Sequence, residues 1–409
     1  MKILVLTTTF PRWENDTTPA FVYDLSRRLH ESGLDIVVLA PQCEGSEKFE
    51  ILEGVKIYRY QYFYPSKLQK LVDGNGILPN LKISNLAKIQ ILFLFFFELI
   101  HTYRIIKKEK IDCIQTHWIV PNGLIGAIFS HYFKISHVLT EHGAGLIGLQ
   151  KIPLKNSILT FILNNTQEIT VVSTKISDDL MQRIKKIRLP RVPRITIIPM
   201  GVPQEKYQSS EFHSDKKKIG TGLISILFIG RIAEKKGLVY LLDAVPDVVR
   251  EYPNIKILVC GDGPERVSCE KKCTDLQIGK YVVFEGRISE QKKIDYLREA
   301  DILVIPSIVA ADGDTEGVPV VLLEGLAAGK TIIASRVGGI PDIIRNDFNG
   351  VLVDERNSEQ ISNSIIRLIK DPESRNRLSR NAFQSSRFYD WKYVGDQYIE
   401  ILEGIHDRL

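Results

Sequence analysis

Ile224-Ser225-Ile226-Leu227-Phe228-Ile229-Gly230-Arg231-Ile232-Ala233-Glu234-Lys235-Lys236-Gly237 is the stretch on which the fold turns. Its first six residues are almost continuously apolar, not alternating in polarity, as expected of a parallel strand covered on both faces. Gly230 ends the run, cations follow, and a helical pattern begins. Strand, glycine loop and helix make up the unit of a doubly wound α/β domain. Downstream, apolar runs at 255–260, 282–284, 302–305, 331–334 and 351–353 repeat the unit, with helices between them. Upstream, strands are expected at 3–7, 36–39, 57–62, 112–116, 137–140, 168–172 and 195–199, and helices include 20–31, 86–108 and 174–186. The pattern weakens between Val202 and Gly222, around Ser209-Ser210 and the charged run 215–218. The expected organisation is therefore a first Rossmann-like domain over 1–203, a linker over 204–222 and a second such domain over 223–385. A helix within 386–409 carries Trp391, Val394 and Tyr398 at helical spacing and is expected to cross back to the first domain. Two such parallel-sheet domains in tandem are expected to face a central cleft, with function in the loops at the carboxyl ends of the strands.

The bulk properties agree with this reading. At 409 residues the chain exceeds one ordinary core, and 44% apolar with 25% charged residues is globular composition. The net charge of +5 is uneven, with about +8 in residues 1–200 and −3 in the rest. A basic first half suits anionic lipid headgroups or a phosphorylated substrate, or is an ordinary scattered surface. Nucleic acid is not among the expected partners. Five scattered cysteines do not form a disulfide framework; Cys113 and Cys260 read as core residues, and Cys269 and Cys273, four apart, lack the second pair of a metal site. No signal peptide is read at Met1, and the apolar run 91–97 is too short to span a bilayer alone, so a cytoplasmic location is expected.

In the second domain, Arg231 and Lys236 are placed to face the carboxyl end of their strand, where a departing diphosphate would need its charge neutralised. Alone they could be solvated surface cations. Glu316-Gly317-Val318-Pro319-Val320-Val321-Leu322-Leu323-Glu324 follows strand 302–305. Pro319 suits a first helical turn, leaving the amides of Gly317, Val318 and Val320 to hold an anion. Glu324, among apolar neighbours, needs a hydrogen-bond partner, either a ribose hydroxyl or the protein itself.

These motifs together resemble glycosyltransferase family 4, of the retaining GT-B class. The resemblance rests on the Gly-Arg…Lys-Gly strand end, on Glu316 and Glu324, and on Gly261-Asp262-Gly263-Pro264, Phe284-Glu285-Gly286-Arg287, Ala328-Gly329-Lys330, Gly338-Gly339-Ile340-Pro341-Asp342 and Asn349-Gly350. It implies a GT-B fold and transfer of a sugar from a UDP- or GDP-linked donor to a glycan or a lipid-linked (polyprenyl) acceptor. Retention of anomeric configuration, no metal cofactor, and a role in cell-surface polysaccharide or glycolipid synthesis come with it. It further implies that Arg231 and Lys236 contact the donor diphosphate, Glu316 the sugar hydroxyls and Glu324 the ribose. The segment Gly286-Arg287-Ile288 would pass beside the base. No Asp-x-Asp stands at a strand end of this domain; Asp312-Gly313-Asp314 has that spacing but lies in the loop before Glu316.

The first domain offers acceptor-side candidates. Arg12, after Thr7-Thr8-Thr9-Phe10-Pro11, could meet an acceptor phosphate or be a surface cation. The loop 13–18 lacks the paired glycines common in the family. His117 and His142 each end a strand, and His142, in Thr140-Glu141-His142-Gly143, resembles the family's donor-sugar contact. The segment 91–97, followed by Arg104, Lys107, Lys108 and Lys110, is either a core helix or an apolar edge with a basic end resting on anionic membrane, which would make the protein peripheral at the inner face of the cell membrane. Residues 74–80 read as a mobile loop. Two rival readings remain: a nucleotide-sugar epimerase of the same architecture, for which only Glu316 is a good acid–base candidate, and a non-catalytic sugar-binding protein. A dinucleotide oxidoreductase is disfavoured, because neither first strand leads into Gly-x-Gly-x-x-Gly.

Overall fold

The computed structural model describes residues 1–13, 16, 18–72, 77–189, 191–207 and 222–406. The chain divides into two compact units, Met1–Gly201 with Trp391–Leu409, and Val202–Asp390.

The first unit holds strands β1 (Lys2–Leu6), β2 (Asp35–Pro41), β3 (Phe49–Leu52), β4 (Val55–Tyr60), β5 (Cys113–His117), β6 (Ser136–Glu141), β7 (Glu168–Val171) and β8 (Arg194–Ile197). They lie in the order β3-β4-β2-β1-β5-β6-β7-β8, every pair parallel except β3 with β4. Alternation along the strands fills two cores. Ile3, Val5, Ile36 and Val38 pack with helix Phe21–Glu31 and with Trp391, Val394, Tyr398 and Leu402 of helix Trp391–His406. Leu4, Leu6, Val37, Leu39 and Ile114 pack on the other face with Leu94, Ile105 and Ile106 of helix Asn85–Glu109.

The second unit continues with β9 (Ile224–Ile229), β10 (Ile255–Cys260), β11 (Val282–Gly286), β12 (Ile302–Ile305), β13 (Thr331–Ser335) and β14 (Val351–Val353). Their order is β11-β10-β9-β12-β13-β14, all parallel. Cys269 and Cys273 are buried in its core beside Val259 and Val282, and burial pushes each thiol up to about 11.

Three expectations need correction. The hairpin strand β3 was not anticipated: its residues stay partly exposed, and its signal is the two-residue turn Glu53-Gly54, where both φ values are positive (47° and 85°). Residues 77–80, expected in a loop, begin helix Ile77–Ile83, while residues 74–76 lie outside the described residues. Residues 204–207, expected in the linker, form helix Gln204–Tyr207 of the second unit, with Tyr207 buried; Ser209-Ser210 and 215–218 lie outside the described residues.

Candidate functional site

Because all six strands of the second unit run parallel, their carboxyl ends share one edge, and the charged motifs collect there. Gly230 leaves β9 with its amide bonded to the Cys260 carbonyl, and Ile232 extends the pairing to Asp262. The Glu234–Lys236 turn ends at Gly237, whose φ is +63°; a Cβ there would collide with the Pro306 carbonyl, so the loop closes against the end of β12 only with glycine.

This closure sets Lys236 Nζ 2.9 Å from Glu316 Oε1 and Lys235 Nζ 3.2 Å from Asp314. Glu316 is buried. Burial opposes its ionisation, but the Lys236 and Lys235 ammonium groups outweigh it and hold the carboxyl below its ordinary value. Arg231 shows the opposite balance: burial and the nearby positive charge of Arg287 pull its affinity for the proton down, with Asp314 opposing. Arg231 and Arg287 therefore repel one another across the ends of β9 and β11, and an anion between them would relieve that repulsion.

Helix Val320–Ala327 starts one residue later than expected, with Pro319 at its N-cap in extended conformation. Among the described residues no backbone carbonyl accepts from the amides of Gly317, Val318 or Val320. Such orphan amides at a helix start attract negative charge.

Glu324, buried inside that helix, meets protein groups: its Oε1 accepts from Tyr207 Oη at 2.9 Å and from Lys293 Nζ at 2.6 Å. Lys293 also pairs with Glu290 at 2.7 Å. Of the two partners considered for Glu324, the protein one is present. The Gly286 carbonyl likewise accepts from the Gly261 amide, at 2.8 Å. Ile288 follows in the same segment before helix Glu290–Glu299.

Sequence reading missed the hydroxyls of this edge. Ser307, Thr315 and Ser335 carry buried oxygens with no hydrogen-bond partner. Buried polar atoms normally have partners, so unpaired ones gathered at a strand-end edge mark where a polar ligand fits. Serine and threonine right after apolar strands are too common to have been selected in advance.

The first unit builds something different at the ends of β5 and β6. His117 Nδ1 lies 3.0 Å from His142 Nε2, with the rings stacked at 5.3 Å. Their outer nitrogens, His117 Nε2 and His142 Nδ1, are buried without partners. Burial lowers His142 to about 3 and, with His142 beside it, drives His117 well below the ordinary imidazole value. Both rings are thus neutral at physiological pH. The shared proton leaves one outer nitrogen as donor and the other as acceptor, whichever tautomer holds. Phe21 and Trp118 each lie 5.0 Å from the His142 ring, and Trp118 takes a φ of +69°, a strained value of the kind that clusters at functional sites.

Glu141, also unforeseen, holds this corner in place. Its carboxylate accepts from the amides of Ile119 (2.7 Å), Gly143 (2.7 Å) and Gly145 (3.0 Å). The Arg12 guanidinium grips Asp16 at 2.8 and 2.6 Å within its own loop. Burial disfavours the Asp16 charge, yet Arg12 and its backbone amide hold that carboxyl well below the usual range. Glu14, Asn15 and Thr17 of that loop lie outside the described residues.

Comparison with known proteins agrees with these two units. A family model described as glycosyl transferases group 1 matches residues 209–385, and one described as glycosyltransferase family 4 matches residues 19–206. An uncharacterized glycosyltransferase of Methanocaldococcus jannaschii is 25% identical over 397 residues, 93% of each chain. A subunit of phosphatidylinositol N-acetylglucosaminyltransferase of Saccharomyces cerevisiae is 26% identical over 392 residues, 94% of this chain and 79% of that one. Among solved structures, the sucrose-phosphate synthase of Thermosynechococcus elongatus matches with a TM-score of 0.78 at 18% identity over 100% of both chains. HepE of Anabaena, solved with UDP-glucose, matches with a TM-score of 0.66 at 16% identity over 99% of this chain and 100% of that one. At such identities the structural likeness shows the fold, which is GT-B.

Proposed function

Because this chain belongs to the family 4 glycosyltransferases of the GT-B fold, we propose that its second unit binds the diphosphate of a nucleotide-sugar donor and that the sugar passes to an acceptor hydroxyl with its anomeric configuration kept. The observation that carries this is the gathering of Arg231, Arg287, Lys235 and Lys236 with Glu316 and the amides before helix Val320–Ala327 at one strand-end edge.

In this reading the bond between the anomeric carbon and the diphosphate oxygen breaks while a bond to the acceptor oxygen forms on the same face. The acceptor's proton goes to the departing phosphate oxygen. Arg231 and Arg287 take up the charge that grows on the leaving group, and Lys236 holds Glu316 ionised to receive sugar hydroxyls. Protein cations do the neutralising, so no metal is required. Glu324, clamped by Lys293 and Tyr207, keeps its second oxygen for a ribose hydroxyl. The neutral pair His117–His142 offers a donor and an acceptor to uncharged hydroxyls. A UDP- or GDP-linked hexose fits as donor, and a glycan or lipid-linked hydroxyl in cell-surface polysaccharide or glycolipid synthesis fits as acceptor. An epimerase would need a second acid–base group around the sugar ring; Glu324 is taken up by Lys293 and Tyr207 and Asp314 by Lys235, which disfavours that reading.

The test is a panel of UDP- and GDP-sugars with nucleotide release as readout, run with and without a chelator. Release from at least one donor, unaffected by the chelator, is the expected result. Isomerised donor without release, or strict dependence on a divalent cation, would overturn the reading.

A further inference from the structure

Helix Asn85–Glu109 is apolar outward as well as inward. Its buried positions include Gln90, Glu98 and Thr102, whereas Ile89, Leu92, Phe93, Phe96 and Tyr103 are 42–72% exposed. Ile89, Leu92, Phe93 and Phe96 follow the i, i+3, i+4, i+7 spacing that in a soluble helix marks the inward face. Two of the inner polar groups are held by the first unit: Gln90 bonds Leu68 and Lys70, and Glu98 accepts from Tyr60 at 3.2 Å and Asn122 at 2.8 Å. The helix is long and apolar enough to cross a membrane, but these bonds and the burial of Leu94, Ile105 and Ile106 seat it lengthwise on the sheet.

The apolar stripe continues onto the neighbouring segment. Phe63 contacts Phe93 at 5.5 Å, and Tyr64 and Leu68 are 85% and 43% exposed. Around it stand exposed Lys67, Lys70, Lys82, Lys88, Arg104, Lys107 and Lys108. From residue 61 to 108 the sequence has only two acidic residues, Asp73 and the buried Glu98. An apolar stripe rimmed by cations of one sign fits an anionic lipid surface, and two copies of such a face would repel each other.

We propose that this stripe docks the protein on anionic phospholipid bilayers, with Leu92, Phe93 and Phe96 entering the headgroup and acyl boundary and the cations resting on lipid phosphates. The proposal does not depend on which sugar is moved. It is tested with the full chain by sedimentation with phosphatidylcholine vesicles with and without phosphatidylglycerol. Binding that falls about tenfold without the anionic lipid or in high salt is expected, as is a further loss of about tenfold or more in L92S/F93S/F96S with an unchanged melting curve. In Leu92→Trp, a blue shift of the new indole emission on adding anionic vesicles is expected. No sedimentation with anionic vesicles, a triple serine variant that binds as the parent does, an unshifted indole, or a dimer that this variant dissolves in place of lipid binding would each overturn the proposal. Donor turnover in solution is read separately, so failure here leaves the sugar-transfer reading standing.

Discussion

The two units handle buried titratable groups in opposite ways. At the ends of β5 and β6 in the first, burial strips charge away: His142 is lowered to about 3, His117 well below its ordinary value, and the nearby helix residue Glu98 is raised to about 8. At the strand ends of the second, pairing keeps an ion: Lys236 holds Glu316 below its ordinary value, and Lys293 stands 2.6 Å from Glu324. A neutral corner with one donor and one acceptor suits hydroxyl groups. A corner with crowded cations suits an anion. The contrast assigns chemistry to each half before any ligand is considered.

The sharpest way to break the contrast is at Lys236. Its replacement by alanine leaves buried Glu316 with Lys235 as its remaining cationic influence and removes a charge from the edge proposed to hold the diphosphate. Turnover should fall by about 10³, with nucleotide binding weakened less, as steady-state kinetics and calorimetry would report. Near-parental turnover would mean the edge is an ordinary ion-pair network. Next, His142→Ala should lower kcat by about 10² through loss of a placed hydrogen bond, and the parent's kcat should show no imidazole titration between pH 5 and 8. A bell-shaped profile with an inflection near 6.5 would contradict the neutral pair.

A third test addresses stability. Glu98 keeps its proton in the fold up to about pH 8 but loses it near 4.5 when unfolded, so the fold loses stability as pH rises between those values. The buried His142 acts the other way: the unfolded chain takes up a proton below about 6.5 and the fold does not until about 3, so stability falls as pH drops through that window. Glu98→Gln should flatten the loss on the alkaline side by about 2–4 kcal/mol, measured by denaturant unfolding at pH 5, 6.5 and 8. The smallest effect is expected at Arg12, where substitution by alanine releases Asp16 and should cost about 1 kcal/mol of stability while turnover stays within about twofold.

Much of this was legible in the sequence because parallel strands buried on both faces leave uninterrupted apolar runs. Strand β3 escaped because it lies at an edge with Phe49 and Ile51 outside. The pairing of His117 with His142 escaped because their adjacency depends on β5 and β6 being neighbours in register, which strand order alone reveals. Tyr207, the partner of Glu324, is 117 residues distant and sits where composition suggested a linker. Helix Asn85–Glu109 was half legible: its apolar run was obvious, but hydropathy all round a helix does not say which side is inward.

Helix Trp391–His406 has one more consequence. The first unit's core includes Trp391, Val394, Tyr398, Ile401, Leu402 and Ile405, which leave the ribosome after the whole of the second unit. The second unit, a continuous stretch from Val202 to Asp390, can close as soon as it emerges, reversing the usual amino-terminal-first order of synthesis. A premature stop near residue 390 would therefore spare the unit made later and leave the one begun earlier without this helix.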